Sequence, residues 1–398
     1  MTAPQDPVAL DESFLTDPHA AYAALHRTAA VHQAVAPDGV PVWLVTGYRH
    51  VRAATKDPML SVNKCHGRTV GNQGASMPPE LDAHLLNTDP PAHTRLRRLV
   101  GTAFTPRRME CLRDSIRRVT GELLDRMAPH SHANIVSDLA MPLSMAVICD
   151  LLGVPENNRP DFRQWTDTLQ SSAPDAAVRS REAMREMHRF LVNLIDRKRR
   201  APSDDLLSAL IAVRDEGDRL GEDELVAMAF LLLFGGYHNA ASLIATTVLA
   251  LLTYPEHLAA VRTGGLSMDA VTEEALRWNS PAMLAVRRFA KQDVRIGTTT
   301  IPAGERIWLS WASANRDPDQ FAMPTTFDPT RADSNGHLAF GHGAHYCPGA
   351  ALARLENSIA VSSLMHRFPE LSLMGTADAL QWTDSLRSRG LRELPVSL

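Results

Sequence analysis

Phe340-Gly341-His342-Gly343-Ala344-His345-Tyr346-Cys347-Pro348-Gly349 is the most informative stretch of the chain. Three glycines around the cysteine let the backbone turn tightly and approach a flat ligand. Helical periodicity is expected from about 350 to 367, which places Cys347 at the positive end of a helix, where thiolate is favoured over thiol. A thiolate presented this way is a good soft metal ligand. Two other readings of the loop stay open on the residues alone. One is a buried cysteine beside a turn. The other is a zinc site made from His337, His342, His345 and Cys347, although zinc ligands usually come from two separated knuckles.

Working outward, the chain has 398 residues, of which 44% are hydrophobic and 22% charged, enough to bury roughly three quarters of its extended surface without staples. That balance excludes disorder, collagen-like repeats and a disulfide scaffold. The 41 basic and 45 acidic residues leave −4, so there is no general basic field for nucleic acid, and the run Arg197-Lys198-Arg199-Arg200 reads as a solvated helix end. The four cysteines (Cys65, Cys111, Cys149, Cys347) are widely spaced without a CxxC pair. With an acidic N-terminus lacking the basic and apolar regions of a secretory signal, they point to a reducing cytoplasm.

The element pattern predicts a mainly α protein with small β-sheets, read as a single domain over 1–398. Two short strands at 31–36 and 41–46 flank the turn Pro37-Asp38-Gly39, and alternation returns at about 293–311 with turns at Gly297 and Pro302-Ala303-Gly304. A Gly/Pro-rich stretch at about 66–91 is a candidate binding loop, and Asp89-Pro90-Pro91 reads as a helix start with proline in the first turn. Leu225–Tyr254 contains no Asp, Glu, Lys or Arg and is long enough to span a bilayer. The acidic lead Glu222-Asp223-Glu224, the absence of flanking Lys or Arg, and the polar middle Gly235-Gly236-Tyr237-His238-Asn239 favour the axis of a large core instead, so no membrane partner is expected.

The pattern F-G-x-G-x-H-x-C-x-G, from Phe340 to Gly349, resembles the haem-binding signature of the cytochrome P-450 monooxygenases. The resemblance covers nearly the whole chain in order and matches the short bacterial branch that tailors secondary metabolites. It implies the family's fold, with haem b between a long central helix and the Cys-loop with the last helix. It makes Cys347 the iron ligand, with Phe340, Gly341, His345 and Gly349 around the cofactor. Glu274-Ala275-Leu276-Arg277 matches the family's E-x-x-R; i,i+3 spacing puts both side chains on one helix face, and the resemblance adds Arg331 as the third, structural partner. The stretch from Asp89 to Arg98 resembles the helix that clamps the haem propionates, with His93 and Arg97 at i,i+4. Arg288 and His345 are implied as further propionate contacts.

One segment departs from the family. Gly235-Gly236-Tyr237-His238-Asn239-Ala240 stands where the pattern is roughly A/G-G-x-D/E-T-T/S, whose acid and threonine deliver protons to dioxygen. Register puts His238 at the acid and Asn239 at the threonine, with Gly236 beside them as the remaining catalytic candidate. An amide holds water but releases no proton near pH 7, whereas histidine relays protons. Four accounts are open: an altered relay through water, a substrate that supplies the missing hydroxyl or amine, an atypical oxidation such as intramolecular C–N or C–C coupling, or Asn239 merely satisfying a carbonyl at a helix distortion.

The function implied is an O2-dependent haem-thiolate monooxygenase acting on a small secondary metabolite, by hydroxylation or a related oxidation; a haem sensor or carrier is the rival from another class. Electrons are expected from NAD(P)H through a ferredoxin reductase and a ferredoxin, attracted by arginines near Arg98, Arg107, Arg108 and Arg354. A cytoplasmic monomer is expected. Substrate contacts are expected from Arg68, Asn72, Leu232, Leu233, Met283, Leu284 and Trp382.

Overall fold

Val31–Val35 and Pro41–Val45 pair as the antiparallel hairpin expected around Gly39, whose φ of +74° suits a residue without Cβ. In this computed structural model, which describes residues 6–68, 79–170, 176–212, 214–215 and 218–398, the hairpin belongs to a six-stranded mixed sheet. Val8–Ala9 adds parallel to its outer edge, and Arg306–Leu309 pairs parallel with Pro41–Val45. Arg288–Ala290 and Leu60–Ser61 complete the order by antiparallel pairing. The alternation at 293–311 resolves into the hairpin Val294–Ile296/Thr299–Ile301, turned at Gly297, and the strand Arg306–Leu309. Val31, Val45, Leu60, Ile307 and Leu309 pack one core from these strands.

These strands lie in one of two compact units, neither of them a continuous stretch. The first takes residues 1–74, 253–347 and 381–391; the second takes 75–252, 348–380 and 392–398. In the first unit, the helix Met268–Trp278 carries the E-x-x-R pair, and both side chains are wholly buried. Arg277 donates to both Glu274 oxygens at 2.7 Å and to the carbonyls of Asn315, Pro324 and Thr326 at 2.9–3.0 Å. Arg331 Nε donates to Glu274 Oε1 at 3.0 Å, and its remaining nitrogens bind the carbonyls of Ala322 and Thr326. Two guanidiniums on one carboxylate would leave an uncompensated buried charge; the ring of carbonyls offsets it.

The second unit is helical. Its axis is the helix Glu222–Thr253, about 48 Å long at 1.5 Å per residue, with Leu225–Ala229, Leu233, Tyr237 and most of Leu243–Leu251 buried. Helices Pro106–Met127 and Ala350–Arg367 pack together, as do Arg159–Gln170 and Ala176–Arg200. The stretches Ile135–Leu152 and Glu222–Thr253 are each long and apolar enough to cross a bilayer by length and composition, and two thirds and one half of their apolar windows are buried within the fold. At the end of Ala176–Arg200 the basic run is engaged within the chain: Lys198 pairs with Asp205, and Arg199 binds Glu222 at 2.5–2.6 Å. A small sheet joins His132–Asn134 and Ser372–Leu373 to opposite sides of Pro395–Ser397. The helix after Asp89 is Ala92–Ala103, and the turn that opens it contains both prolines: Pro91 has helical φ and ψ of −83° and −19°, and the His93 N–H reaches the Asp89 carbonyl at 2.9 Å. The stretch 66–91 also holds local structure where described: Lys64–His66, Pro79–Asp82 and Leu85–Asn87 are short helical turns, and 69–78 lie outside the described residues.

Glu356, on the inner face of Ala350–Arg367, accepts a hydrogen bond from Ser144 Oγ at 2.5 Å, and burial pushes its carboxyl up to about 7. A carboxyl raised above its ordinary 4.5 disfavours ionisation in the fold, so stability falls as pH rises from 4.5 to about 7 and is level above that. Glu356→Gln is therefore expected to gain up to ~3 kcal/mol relative to wild type at pH 8 but little at pH 4.5, read as the difference in denaturant midpoint. Arg277→Ala strands the Glu274 carboxylate and is expected to cost about 3–5 kcal/mol; a midpoint shift under 1 kcal/mol would show that the network is not structural.

Candidate active site

The cysteine loop belongs to the first unit up to Cys347. The Cys347 N–H donates to the Phe340 carbonyl at 2.9 Å, so the loop folds back and presents a half-buried Cys347 just before the helix Ala350–Arg367 begins. Gly341 and Gly343 have φ of +76° and +73°, a backbone conformation that strains any residue with a Cβ. These two glycines are required by backbone geometry. Gly349, by contrast, has φ −86° and simply flanks the helix. His345 and Phe340 are half-buried in the same loop. Arg288 is buried on its strand, Nη1 donating to the Leu60 carbonyl at 3.3 Å. The zinc reading fails on this geometry. His337 uses both ring nitrogens, one 3.2 Å from Glu273 and the other accepting from the Ala339 N–H. Among the described residues no cluster of three or more His, Cys, Asp or Glu is placed to hold a metal ion. The donor set instead suits an iron porphyrin, with one sulfur for the metal and cations for its acidic edge.

In the second unit, His93 and Arg97 share a face of Ala92–Ala103, His93 buried and Arg97 half-buried. The long helix runs without interruption through Gly235 and Gly236, which corrects the expected distortion. Its two glycines meet different surroundings. A Cβ on Gly236 would come 2.8 Å from Ile148 Cδ1, so close packing against Met141–Leu152 is one reason for a glycine at this position. Gly235 has nothing within 4 Å of a Cβ position and is exposed. Leu231, Gly235, His238, Asn239 and Ser242 form an accessible stripe along the middle of a helix whose other residues there are mostly buried. Asn239 Nδ2 donates to the Gly235 carbonyl at 3.2 Å, one turn back, which is the local bond by which a polar side chain satisfies itself in a helix.

His238 turns toward Arg159–Gln170, its Nε2 3.5 Å from Asp167 Oδ1, too long for a good hydrogen bond. Both atoms are buried, and neither has a hydrogen-bond partner. Burial, with Arg163 adding to it, pulls the His238 imidazole down to about 4, so the ring is neutral at pH 7. Burial raises Asp167 against the pull of Arg163, whose Nε lies 3.6 Å away. Burial likewise raises the Tyr237 hydroxyl. Sequence reading missed Asp167 because no motif announces a pair 71 positions apart, the separation of 167 and 238.

The expected substrate contacts divide. Leu233 and Met283 have no more than 1% of their surface accessible, Met283 within the core of the first unit, so neither borders open space and both are corrected to core residues. Leu232 is nearly as buried. Leu284 and Trp382 are half-buried, and the Arg389 guanidinium lies 4.1 Å over the Trp382 ring. Arg68 is exposed, its N–H bonded to the Gly304 carbonyl at 3.0 Å. Asn72 lies outside the described residues, as does the side chain of Arg107. Arg108 is occupied by the Ala103 carbonyl and Asp204.

A cysteine held this way before a helix, in a chain that also carries a buried E-x-x-R network, is the arrangement of a haem-thiolate oxygenase. The family model for cytochrome P-450 matches residues 16–264 and 267–382. Cytochrome P-450 107B1 of Saccharopolyspora erythraea is 43% identical over 401 residues, covering 98% of this chain and 97% of that one. The cytochrome P-450 monooxygenase PikC of Streptomyces venezuelae is 42% identical, covering 98% and 92%. The solved structure of the tirandamycin C-bound monooxygenase TamI superposes with TM-score 0.90 at 41% identity, covering 98% of this chain and all of that one. The chain belongs to the cytochrome P-450 family and is a monooxygenase of its bacterial secondary-metabolite branch. The family works with haem and dioxygen, takes electrons from NAD(P)H through redox partners, and acts on small molecules.

The two glycines give a contrast that can be measured. Gly235→Ala is expected to raise stability by up to ~1 kcal/mol, the helix preference of alanine, while weakening the binding of bulky ligands. Gly236→Ala is expected to lower stability by up to about 2 kcal/mol, overpacking against Ile148 being partly offset by the same helix preference, with part recovered in the double variant with Ile148→Val. Equal effects at both positions in thermal unfolding would refute the assignment.

Proposed function

We propose that this protein hydroxylates a polyketide-type secondary metabolite. Cys347 would hold the iron of haem b, with Phe340, Gly341 and Gly349 forming the turn around it. His93, Arg97, Arg288 and His345 would bind the propionates, and Arg68, Leu284 and Trp382 remain as substrate contacts. The observation that carries the reading is the folded-back loop that presents Cys347 ahead of a helix N-terminus. Relatives described as 6-deoxyerythronolide B hydroxylase and mycinamicin IV hydroxylase/epoxidase, 41% and 38% identical, supply the substrate class. They favour oxygen insertion over the coupling alternative. Both compact units serve one functional domain, since the family match runs through both. Electrons would reach a cytoplasmic monomer through a ferredoxin and its reductase, with Arg98 exposed to meet an acidic partner.

When bound, the haem supplies oxygen activation at iron. The chain's own residues do the rest. Gly235 keeps the helix face low enough to admit a ligand. His238, neutral at pH 7, accepts and passes protons where the family pattern has an acid. Asn239, tied to the Gly235 carbonyl through its amide nitrogen, holds water with its amide oxygen.

The reduced protein under carbon monoxide is expected to show the strongly red-shifted Soret band of thiolate ligation, lost in Cys347→Ala. An imidazole-type band would end the monooxygenase reading. Screening macrolactones by Soret shift tests the substrate class; a library without a binder, beside a non-polyketide that binds, would overturn it. His238→Gln is expected to keep the carbonyl spectrum but cut product per electron pair by about tenfold or more, with peroxide in its place.

A further inference from the structure

We propose that Asp167 is the proton port for His238: a carboxylate on the helix Arg159–Gln170 that takes up protons from solvent and passes them to the imidazole. The inference rests on the reading of His238 given above and adds the group that feeds it.

Asp167 straddles the boundary between water and interior. Its side chain is 42% exposed, yet Oδ1 has no accessible surface and faces His238 Nε2 at 3.5 Å. Neither atom has a hydrogen-bond partner, which is costly for two buried polar atoms. The cost is removed whenever a proton lies between them, since a carboxyl–imidazole or carboxylate–imidazolium contact is a short, charge-assisted bond. The wet side of the carboxylate is therefore its other oxygen, and the dry side points at the ring. The remaining accessible surface of His238 belongs to the stripe containing Gly235 and Asn239.

The transfer balances with water as the only proton source. Asp167 loses its proton from Oδ1 to His238 Nε2, the imidazolium releases a proton from Nδ1 toward the open stripe, and water recharges the carboxylate at the exposed oxygen. A half-turn of the carboxyl group about its Cβ–Cγ bond brings the new proton to face the ring, and a ring flip restores the starting tautomer. Burial raises the acid and lowers the imidazole, so each shift narrows the ordinary gap between the two proton affinities. The charged and titratable groups facing the pair are Arg163 on the same helix as Asp167, Tyr237 beside His238 with their rings 4.3 Å apart, and Cys149 from Met141–Leu152, which acts on Tyr237. Arg163 competes for the carboxylate at 3.6 Å and opposes the upward push of burial on Asp167. Asp167 acts through His238 and is thus a positioning residue.

The test follows the His238 ring by NMR in the full-length ferrous carbonyl holoenzyme, labelled at histidine and assigned by difference with His238→Gln. Asp167→Asn is expected to weaken protonation of His238 about threefold or more, a fall of at least about 0.5 in its titration midpoint. Asp167→Glu should restore most of it, and Arg163→Gln, at a half-exposed surface position, should raise the midpoint. In turnover, Asp167→Asn should lose product to peroxide as His238→Gln does, and the double variant should be no worse than either alone. A midpoint unmoved by both Asp167→Asn and Arg163→Gln overturns the proposal, and Arg163→Gln with Asp167→Glu decides it if Asp167→Asn fails to fold. If His238→Gln leaves coupling at the wild-type level, the relay itself is wrong and the port falls with it. If His238→Gln uncouples while Asp167→Asn changes neither midpoint nor coupling, only the port is wrong.

Discussion

One buried carboxylate organises the first unit. Glu274 accepts from Arg277, from Arg331 and from the Asp328 N–H, and the two guanidiniums then collect the carbonyls of the 315–326 segment. The residue before it, Glu273, faces His337, while Asn315 accepts from the Leu338 N–H at 2.6 Å. A single helix turn thus holds both the irregular segment and the start of the cysteine loop. Irregular backbone has no ladder of its own to satisfy its carbonyls, so side chains must do it, and arginine with five donors is suited to the task. The position of Cys347 is inherited from this grip, since only a few residues separate His337 from the turn that folds back on Phe340.

The long helix of the second unit answers to a different constraint. Its apolar surface is mostly committed to the core, and the two glycines at its middle differ in what lies opposite them. Gly235 faces open space, and Gly236 next to it lets Ile148 approach. The departure from the family pattern falls one turn further on, where a neutral imidazole and an amide replace an acid and an alcohol. What these two can do depends on their neighbours more than on their own chemistry: Asn239 is tied to its own helix, whereas His238 meets a carboxylate from another.

Much of this was legible in the sequence because it is local. The cysteine loop, the E-x-x-R pair, the hairpin around Gly39 and the charge-free helix are each written in fewer than about thirty adjacent residues. Arg331 was found only through the resemblance, since nothing in its own surroundings announces Glu274 as a partner. Asp167 went unseen for the same reason. Leu233 and Met283 were misread as ligand contacts because an apolar residue beside a motif looks the same in sequence whether it lines open space or fills a core. The distinction between Gly235 and Gly236 likewise depends on what lies opposite each, and only the neighbouring helix decides it.

The interrupted make-up of the two units has a bearing on biogenesis. Each unit draws in segments from beyond residue 347, and both recruit chain beyond residue 380: the first needs 381–391, and the second needs the strand Pro395–Ser397 to bridge His132–Asn134 and Ser372–Leu373. A nascent polypeptide leaving the ribosome therefore carries two unfinished cores until these segments emerge, with apolar surface waiting for partners not yet translated. Any stop codon ahead of residue 381 leaves both open at once, and such a fragment becomes a client for chaperones and proteases rather than a smaller working protein.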